Sequence, residues 1–182
     1  MRKLIYAINA SIDGCVDHTK MSPDEALMDF WTNTIRDSVL AYGRITYELM
    51  VPYWPDIARN PGGETGPDID FAQAFDSVEK LVFSKSLAKV EDKNSRLVRT
   101  NPEDEIRKLK QESGRNILLG GVAFPSYLVD LGLVDEFLFV VQPVVVGEGR
   151  RLLKGIKRQQ KLKLIDSKTF ASGSVALHYS KQ

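Results

Sequence analysis

Hydrophobic positions along the chain predict alternating strands and helices. The residues from Lys3 to Ala10 are almost all apolar, which is typical of a central strand covered on both faces. Between Leu27 and Ile35 the apolar residues recur at three- and four-residue spacing, which predicts an amphipathic helix that begins at a start signal near Ser22. Strands that alternate with amphipathic helices are typical of the α/β class.

The stretch from Asn116 to Val146 contains the clearest such unit. A short apolar run ends at Gly120-Gly121, a helical pattern follows from Phe124 to Leu131, and the segment from Phe137 to Val146 is rich in β-branched and aromatic residues. This order of strand, diglycine turn, helix and strand predicts a parallel α/β unit. Two glycines at the end of a strand let a ligand approach the backbone, and the helix that follows presents N–H groups to an anion. The alternative is a tight turn that binds nothing.

Weaker patterns complete the predicted order of elements. From Val51 to Asp70 the chain has no hydrophobic period, which predicts a functional or disordered loop. The segments 162–170 and 174–179 alternate on either side of a turn, which predicts a terminal β-hairpin. The remaining predicted elements are strands at 38–42, 80–83 and 96–98, and helices after Gly43, at 71–75 and from Asn101 to about Glu112.

Composition and charge fit one ordinary globular domain that spans residues 1–182. Hydrophobic residues make up 43% and charged residues 27%, and the net charge of +1 gives no reason to expect a nucleic-acid or membrane partner. The single cysteine, Cys15, excludes an internal disulfide, and together with the distant His18 and His178 it supplies no metal-ligand cluster. The N-terminal apolar run is too short for a signal peptide, and no stretch reaches transmembrane length, so we expect a cytoplasmic protein.

Anion-binding chemistry recurs at the ends of three predicted strands. In an open α/β sheet the carboxyl ends of parallel strands line one crevice, where ligands bind. Three such corners on one edge predict an extended ligand with several phosphates, such as a dinucleotide, although the G-x-G-x-x-G fingerprint is missing. For a single corner, an exposed arginine beside a threonine cap is the alternative interpretation. The residues concerned are Gly43, Arg44 and Thr46, then Ser84 and Lys85, then Gly120 and Gly121.

The order of these motifs resembles the dihydrofolate-reductase-like superfamily, in the branch similar to the C-terminal reductase domain of bacterial riboflavin synthesis. The matching pieces span nearly the whole chain, and the ordered set is more specific than any one of them. They are N-A-S-I-D-G (9–14), Y-G-R-I-T-Y-E (42–48), L-V-F-S-K-S-L (81–87), I-L-L-G-G (117–121), G-L-V-D-E-F-L-F-V-V-Q-P-V-V-V-G-E-G (132–149) and G-S-V-A-L-H-Y (173–179).

The resemblance implies a three-layer α/β fold with a mostly parallel eight-stranded sheet and an antiparallel C-terminal hairpin. It also implies an NADPH cofactor, a cis peptide bond between Gly120 and Gly121, and a homodimer, which the apolar segment from Phe137 to Val146 favours as well. Arg44 has the adenosine 2′-phosphate as an alternative partner, because its fork suits either phosphate. The implied cofactor-binding residues are Gly43, Arg44 and Thr46 at the phosphates, Ser84 and Lys85 near the 2′-phosphate, and Gly120, Gly121 and Val122 around the pyrophosphate.

One position departs from the true dihydrofolate reductases. In those enzymes a carboxylate on the first helix holds the pterin ring, whereas the position counted back from Gly43 is the apolar Leu27. Leucine neither bonds an aminopyrimidine nor relays a proton, and Asp29 lies about 200° further round the helix. We therefore expect a small heterocyclic substrate, pyrimidine or pterin-like, other than dihydrofolate. The implied activity is similar to that of 5-amino-6-(5-phosphoribosylamino)uracil reductase or of dihydrofolate reductase.

Two hypotheses of function follow. In the first, the protein is an NADPH-dependent reductase whose substrate side is lined by Trp31, Met50 and Trp54, with Asp13 as a polar substrate contact or proton relay. The alternative for Trp31 is that it is a core residue. The alternative for Asp13 is that it stabilises the turn from Ser11 to Gly14. In the second, the protein binds NADP(H) for a sensing or regulatory role without turnover, which the missing carboxylate favours.

Overall fold

The computed structural model describes all residues from 1 to 182, and eight strands form one sheet. Strands β1 to β6 run parallel to one another, while β8 is antiparallel to both β6 and β7. The strands are β1 Leu4–Ser11, β2 Ser38–Gly43, β3 Lys80–Phe83, β4 Ser95–Val98, β5 Asn116–Leu119, β6 Glu136–Gln142, β7 Leu162–Thr169 and β8 Val175–Lys181. Their order across the sheet is β4-β3-β2-β5-β1-β6-β8-β7.

Helices cover both faces of this sheet. They are α1 Glu25–Arg36, α2 Arg44–Met50, α3 Trp54–Arg59, α4 Gly66–Ser77, α5 Pro102–Gln111 and α6 Ala123–Asp130, together with a short 3₁₀ turn at His18–Lys20. The core under α1 and α4 contains 18 buried residues and the core under α5 and α6 contains 16, so the sheet is the middle of three layers. The three-layer α/β fold with a parallel sheet and a C-terminal hairpin is thereby confirmed. No helix has the length and apolar character needed to cross a membrane.

The segment from Val51 to Asp70 is not a structureless loop, and that prediction was wrong. It contains α3 and the first turn of α4. Its prolines begin helices: Pro55 and Pro67 occupy first-turn positions, where the missing N–H has no intrahelical partner in any case. The predicted helix at 71–75 is the second half of α4, whose start is capped by the side chain of Thr65.

The predicted strand from Phe137 to Val146 is shorter, because pairing ends at Gln142, just before Pro143. This strand lies between β1 and β8 inside the sheet, which accounts for its apolar character without a partner chain. The homodimer therefore stays a prediction that has lost its support from this strand.

Candidate functional site

The three predicted corners lie side by side at the carboxyl edge of the sheet. Strand β2 pairs with β3 on one side and with β5 on the other. Gly43 is level with Phe83, so Ser84 begins beside the start of α2. Ala41 is level with Leu119, so the diglycine turn lies beside the same corner from the other side. The structure thus brings together residues that are up to 79 positions apart in the chain, from Gly43 to Val122.

The diglycine turn packs so closely on the end of β2 that neither position has room for a side chain. A Cβ on Gly120 would lie 2.4 Å from Cε1 of Tyr42, and a Cβ on Gly121 would lie 2.2 Å from the Thr46 hydroxyl oxygen. The peptide bond between the two glycines is trans, so the predicted cis bond was wrong. Gly121 turns the chain instead through a φ of +92°, in the left-handed region that glycine adopts at no steric cost.

Tyr6 fixes this turn from the neighbouring strand. Its hydroxyl donates a hydrogen bond of 2.9 Å to the carbonyl of Gly121. Burial raises the pKa of the Tyr6 phenol well above its usual value, so the group remains a donor at neutral pH. No sequence pattern indicates this role, because a tyrosine in an apolar strand is expected in the core until the strand order is known.

The helices that start at this edge have no side-chain caps. Helices α1, α4 and α5 are capped by Asp24, Thr65 and Asn101, whereas α2 and α6 begin at Gly43 and Val122 without any side-chain hydrogen bond. The first N–H groups of a helix have no intrahelical partner, and an anion is a suitable acceptor for them. The donors of this corner therefore fit a phosphate-bearing ligand.

Arg44 lies on the surface of this corner and has a partner of its own. Its guanidinium forms an ion pair of 2.9 Å with Glu48 one turn further along α2, and both side chains are nearly half exposed. Exposed pairs at this spacing contribute about 0.3–0.5 kcal/mol, which a phosphate contact readily exceeds. The pair holds Arg44 beside the corner and leaves it free to exchange partners.

Arg99 is a second cation at the corner after β3, beside Lys85, and the sequence analysis missed it. Ser84 accepts a hydrogen bond of 3.0 Å from the N–H of Leu87, which shapes the loop, while Lys85 is exposed. Arg99 immediately follows β4 and donates to the carbonyls of Leu87 and Ala88, both at 2.8 Å. Its position one residue past a strand was the available signal, but a four-residue strand with only two apolar residues did not draw attention to it.

The substrate side predicted along α1 contains no carboxylate directed inward. Leu27 is completely buried in the core, and Asp29 is exposed on another face of the helix. Asp24 accepts hydrogen bonds from the N–H groups of Leu27 and Ser172, which tie the start of α1 to the hairpin turn. These two contacts hold the pKa of Asp24 below its usual range.

The three aromatic and sulfur side chains predicted to line the substrate side belong to the same region of the core. Trp31 is 9% exposed, and its indole N–H donates a hydrogen bond of 3.0 Å to Oδ1 of Asn9. Met50 and Trp54 pack against this core and are partly buried. The ring of Trp54 also contacts that of Phe71, with centroids 4.5 Å apart. The structure therefore supports a core role for Trp31, with its polar atom directed at β1.

Asp13 braces a loop, as the alternative interpretation held. Its carboxylate accepts hydrogen bonds from the Ser11 hydroxyl at 2.6 Å and from the N–H groups of Val146 and Gly147 at 3.0 and 2.9 Å. These bonds, the one from Ser11 first, hold the pKa of Asp13 well below its usual range. A carboxylate that remains ionised and accepts three hydrogen bonds is unsuited to donate a proton at neutral pH.

Two cavities of about 240 Å³ lie elsewhere in the molecule. One is lined by residues of α1 and of the β7–β8 hairpin, among them Phe30 and His178, and the other by residues that include Met21 and Gln142. None of the predicted site residues lines either cavity. The candidate site lies instead at the strand ends on the carboxyl edge of the sheet.

Comparison with known proteins agrees with this geometry. The protein YyaP of Bacillus subtilis, which is uncharacterised, is 34% identical over 172 residues that cover 94% of this chain and 85% of YyaP. A putative riboflavin biosynthesis protein from Shewanella sp. PV-4 superposes with a TM-score of 0.74 at 17% identity, covering 100% of this chain and 99% of the other. Dihydrofolate reductase from Enterococcus faecalis, solved in complex with NADP(H), superposes with a TM-score of 0.65 at 12% identity, covering 99% and 96%.

At such low identities the two structures show the fold alone, whereas the match to a family model shows family membership. The model of the RibD C-terminal domain matches residues 2–176, which is nearly the whole chain. The protein therefore belongs to the RibD C-terminal domain family, and this membership assigns it in general terms to the reductase-like oxidoreductases.

Proposed function

We propose that the protein is an NADPH-dependent reductase of a small heterocycle, pyrimidine or pterin-like, other than dihydrofolate. The observation that carries this proposal is the contact between the diglycine turn and the start of α2, where Thr46 and Gly121 meet. This contact joins two uncapped helix starts into one continuous donor surface. The solved dihydrofolate reductase of the same fold was obtained with NADP(H), which supports the choice of ligand.

Different residues of the crevice bind different parts of a phosphorylated dinucleotide. The N–H groups at the starts of α2 and α6, with the Thr46 hydroxyl, donate to the pyrophosphate. Ser84, Lys85 and Arg99 lie further along the edge, at the ends of β3 and β4, where they are suited to an additional phosphate on the ribose. Arg44 lies between the two groups and serves either one.

NADPH supplies a hydride when it is bound, and the chain supplies binding, orientation and exclusion of water. Met50 and Trp54, which pack partly buried against the core under α1, limit the access of water to one side of the reacting ring. No carboxylate lies on the inward face of α1, since Leu27 occupies the position of the ring-binding acid. We therefore expect the one proton that the reduction consumes to come from solvent water at the open side of the crevice.

A second function, NADP(H) binding for a sensing role without turnover, is favoured by one observation. The three carboxylates closest in sequence to that position are engaged elsewhere: Asp24 caps α1, and Glu25 and Asp29 face solvent. A protein that only binds the nucleotide has no need of an acid beside the substrate ring.

One experiment separates the two functions. NADPH oxidation is followed at 340 nm with a panel of pterins, flavins, pyrimidines and quinones, and NADPH affinity is measured in parallel by titration. The reductase predicts tight NADPH binding together with turnover of at least one heterocycle, and dihydrofolate is not reduced at ordinary enzymatic rates. Tight binding without turnover of any panel member supports the sensing role, and absence of NADPH binding refutes both.

A further inference from the structure

The end of β1 is open on the side that faces the crevice. Pairing of β1 with β5 ends at Tyr6, level with Leu119, whereas pairing with β6 continues to Ser11. Beyond Tyr6, β1 therefore has a strand neighbour on one side only. The open side lies next to the diglycine turn, where the uncapped start of α6 ends the donor surface proposed for the dinucleotide.

Asn9 occupies this open segment, and its side chain is directed toward α1. Side chains alternate along a strand, and Ile5 and Ala7 belong to the core under α1, so Asn9 shares their face. The hydrogen bond from the Trp31 indole confirms this direction. Asn9 is only partly buried, whereas Ala7 and Ala10 on either side of it are buried.

The bond to Trp31 determines which end of the Asn9 amide remains available for another partner. An indole N–H is a donor and never an acceptor, so only Oδ1 of Asn9 is able to receive it. The amide nitrogen, with two N–H donors, is then turned away from Trp31, and no hydrogen bond from it occurs within the chain. The hydroxyls of Thr32 and Thr34 on α1 are occupied, since they donate to the carbonyls of Met28 and Phe30 at 2.8 and 2.7 Å.

We propose that Asn9, oriented by Trp31, recognises the substrate ring, and that its amide nitrogen donates a hydrogen bond to an acceptor on that ring. This inference rests on the proposed reductase function. It assigns the substrate a carbonyl oxygen at the position where an aminopyrimidine presents an exocyclic amino group. A carboxylate acceptor favours a ring with amino groups, whereas the Asn9 amide donor favours a ring with oxo groups. The protein should therefore prefer an oxopyrimidine to an aminopyrimidine.

The test uses two pyrimidines that differ in the groups at ring positions 2 and 4, and with them in which ring nitrogens carry protons. 5,6-Diaminouracil carries oxo groups where 2,4,5,6-tetraaminopyrimidine carries amino groups. Binding of each is measured by calorimetry, with and without NADP⁺, to the wild type and to Asn9→Asp, Asn9→Ala and Trp31→Phe. Asn33→Asp is the control, because Asn33 is exposed on α1 and the substitution adds the same negative charge.

The wild type should bind the uracil about tenfold more tightly, the ratio expected when a ring that lacks the acceptor leaves a donor unpaired. Asn9→Asp should reverse the preference, because a carboxylate keeps the bond from Trp31 but offers the ring an acceptor. Asn9→Ala should abolish the preference, and Trp31→Phe should reduce it by releasing the amide. Asn33→Asp should bind as the wild type does.

Two outcomes overturn the assignment: a wild type without preference for the uracil, including one that binds neither ring, and an Asn9→Asp variant that retains the preference. A merely structural Asn9 would change stability in these variants without reversing selectivity. NADPH affinity, measured on the same samples, separates this result from the proposed function. Loss of NADPH binding in the wild type refutes the reductase, whereas normal NADPH affinity with equal ring affinities refutes the role of Asn9 alone.

Discussion

Two neighbouring regions of the crevice differ in chemical character: one is polar and charged, and the other is apolar. The edge formed by β3, β2 and β5 presents backbone N–H groups, hydroxyls and cations, and its glycines are required by close contacts with Tyr42 and Thr46. The region between β1 and α1 is apolar, and its one polar contact between the two elements joins Trp31 to Asn9. The first region suits the phosphates of a dinucleotide, a ligand that many enzymes share. The second suits a substrate ring, which differs from one enzyme to another.

The largest effect is expected from a change at the contact that joins the two helix starts. In Gly121→Ala the new methyl group meets the Thr46 hydroxyl oxygen, and the left-handed φ costs a further 1–2 kcal/mol or so. NADPH should bind at least tenfold more weakly by titration, since about 1.4 kcal/mol corresponds to a factor of ten.

Gly62→Ala is the matched control for this change, because a Cβ at Gly62 meets no atom within 4 Å. It should leave NADPH affinity unchanged. Thermal unfolding of both variants shows whether the weakened binding reflects loss of the fold. Tight NADPH binding by a folded Gly121→Ala would contradict the role of the diglycine turn.

A smaller effect is expected at the charged part of the same edge. Arg44→Ala removes a charge-assisted bond to phosphate, each of which contributes about 1.5–3 kcal/mol. The preference for NADPH over NADH should fall by about a factor of ten, while NADH affinity changes little if Arg44 contacts the 2′-phosphate. Lys157→Ala, in the exposed loop before β7, is the charge-matched control and should leave the preference unchanged. An unaltered ratio in Arg44→Ala would assign the preference to Lys85 and Arg99.

The smallest effect on activity is expected at Asp13, beside the substrate region. The folded-state pKa of Asp13 lies below the unfolded value of about 3.9, so its ionised form stabilises the fold above that pH and the contribution is lost as the solution is acidified. Asp13→Asn should lower the melting temperature at pH 7, and the difference from the wild type should shrink below about pH 4.

If Asp13 only braces the loop, the pH profile of kcat/KM should keep its shape in Asp13→Asn. Disappearance of a titrating limb from that profile would instead make Asp13 the proton relay. The profile thereby shows whether the proposed substrate region contains any titrating group.

The proposed cofactor edge was accessible from the sequence because its chemistry is local. A glycine, a hydroxyl or a cation next to the end of an apolar run is visible without knowing the strand order, and Gly43, Ser84 and Gly120 were found in this way. Arg99 was missed because β4 is too short and too polar to stand out.

The substrate region depended on long-range contacts that no local pattern reports. Tyr6 meets Gly121 across 115 positions of sequence, and Trp31 meets Asn9 only because α1 folds back over β1. The cis peptide was inferred from resemblance and was wrong, since a positive φ at Gly121 makes the turn with a trans bond. The helices between Val51 and Asp70 were missed because first-turn prolines were taken for breakers.

The most direct test of the proposed cofactor site is a titration of the wild-type protein with NADPH and with NADH at one ionic strength. Two cationic side chains and the Ser84 hydroxyl at the ends of β3 and β4 predict that NADPH binds at least tenfold more tightly than NADH. Increasing salt should narrow the gap, because exposed charges are screened. Equal affinity for the two nucleotides at low salt would contradict the assignment of this edge to a phosphorylated dinucleotide.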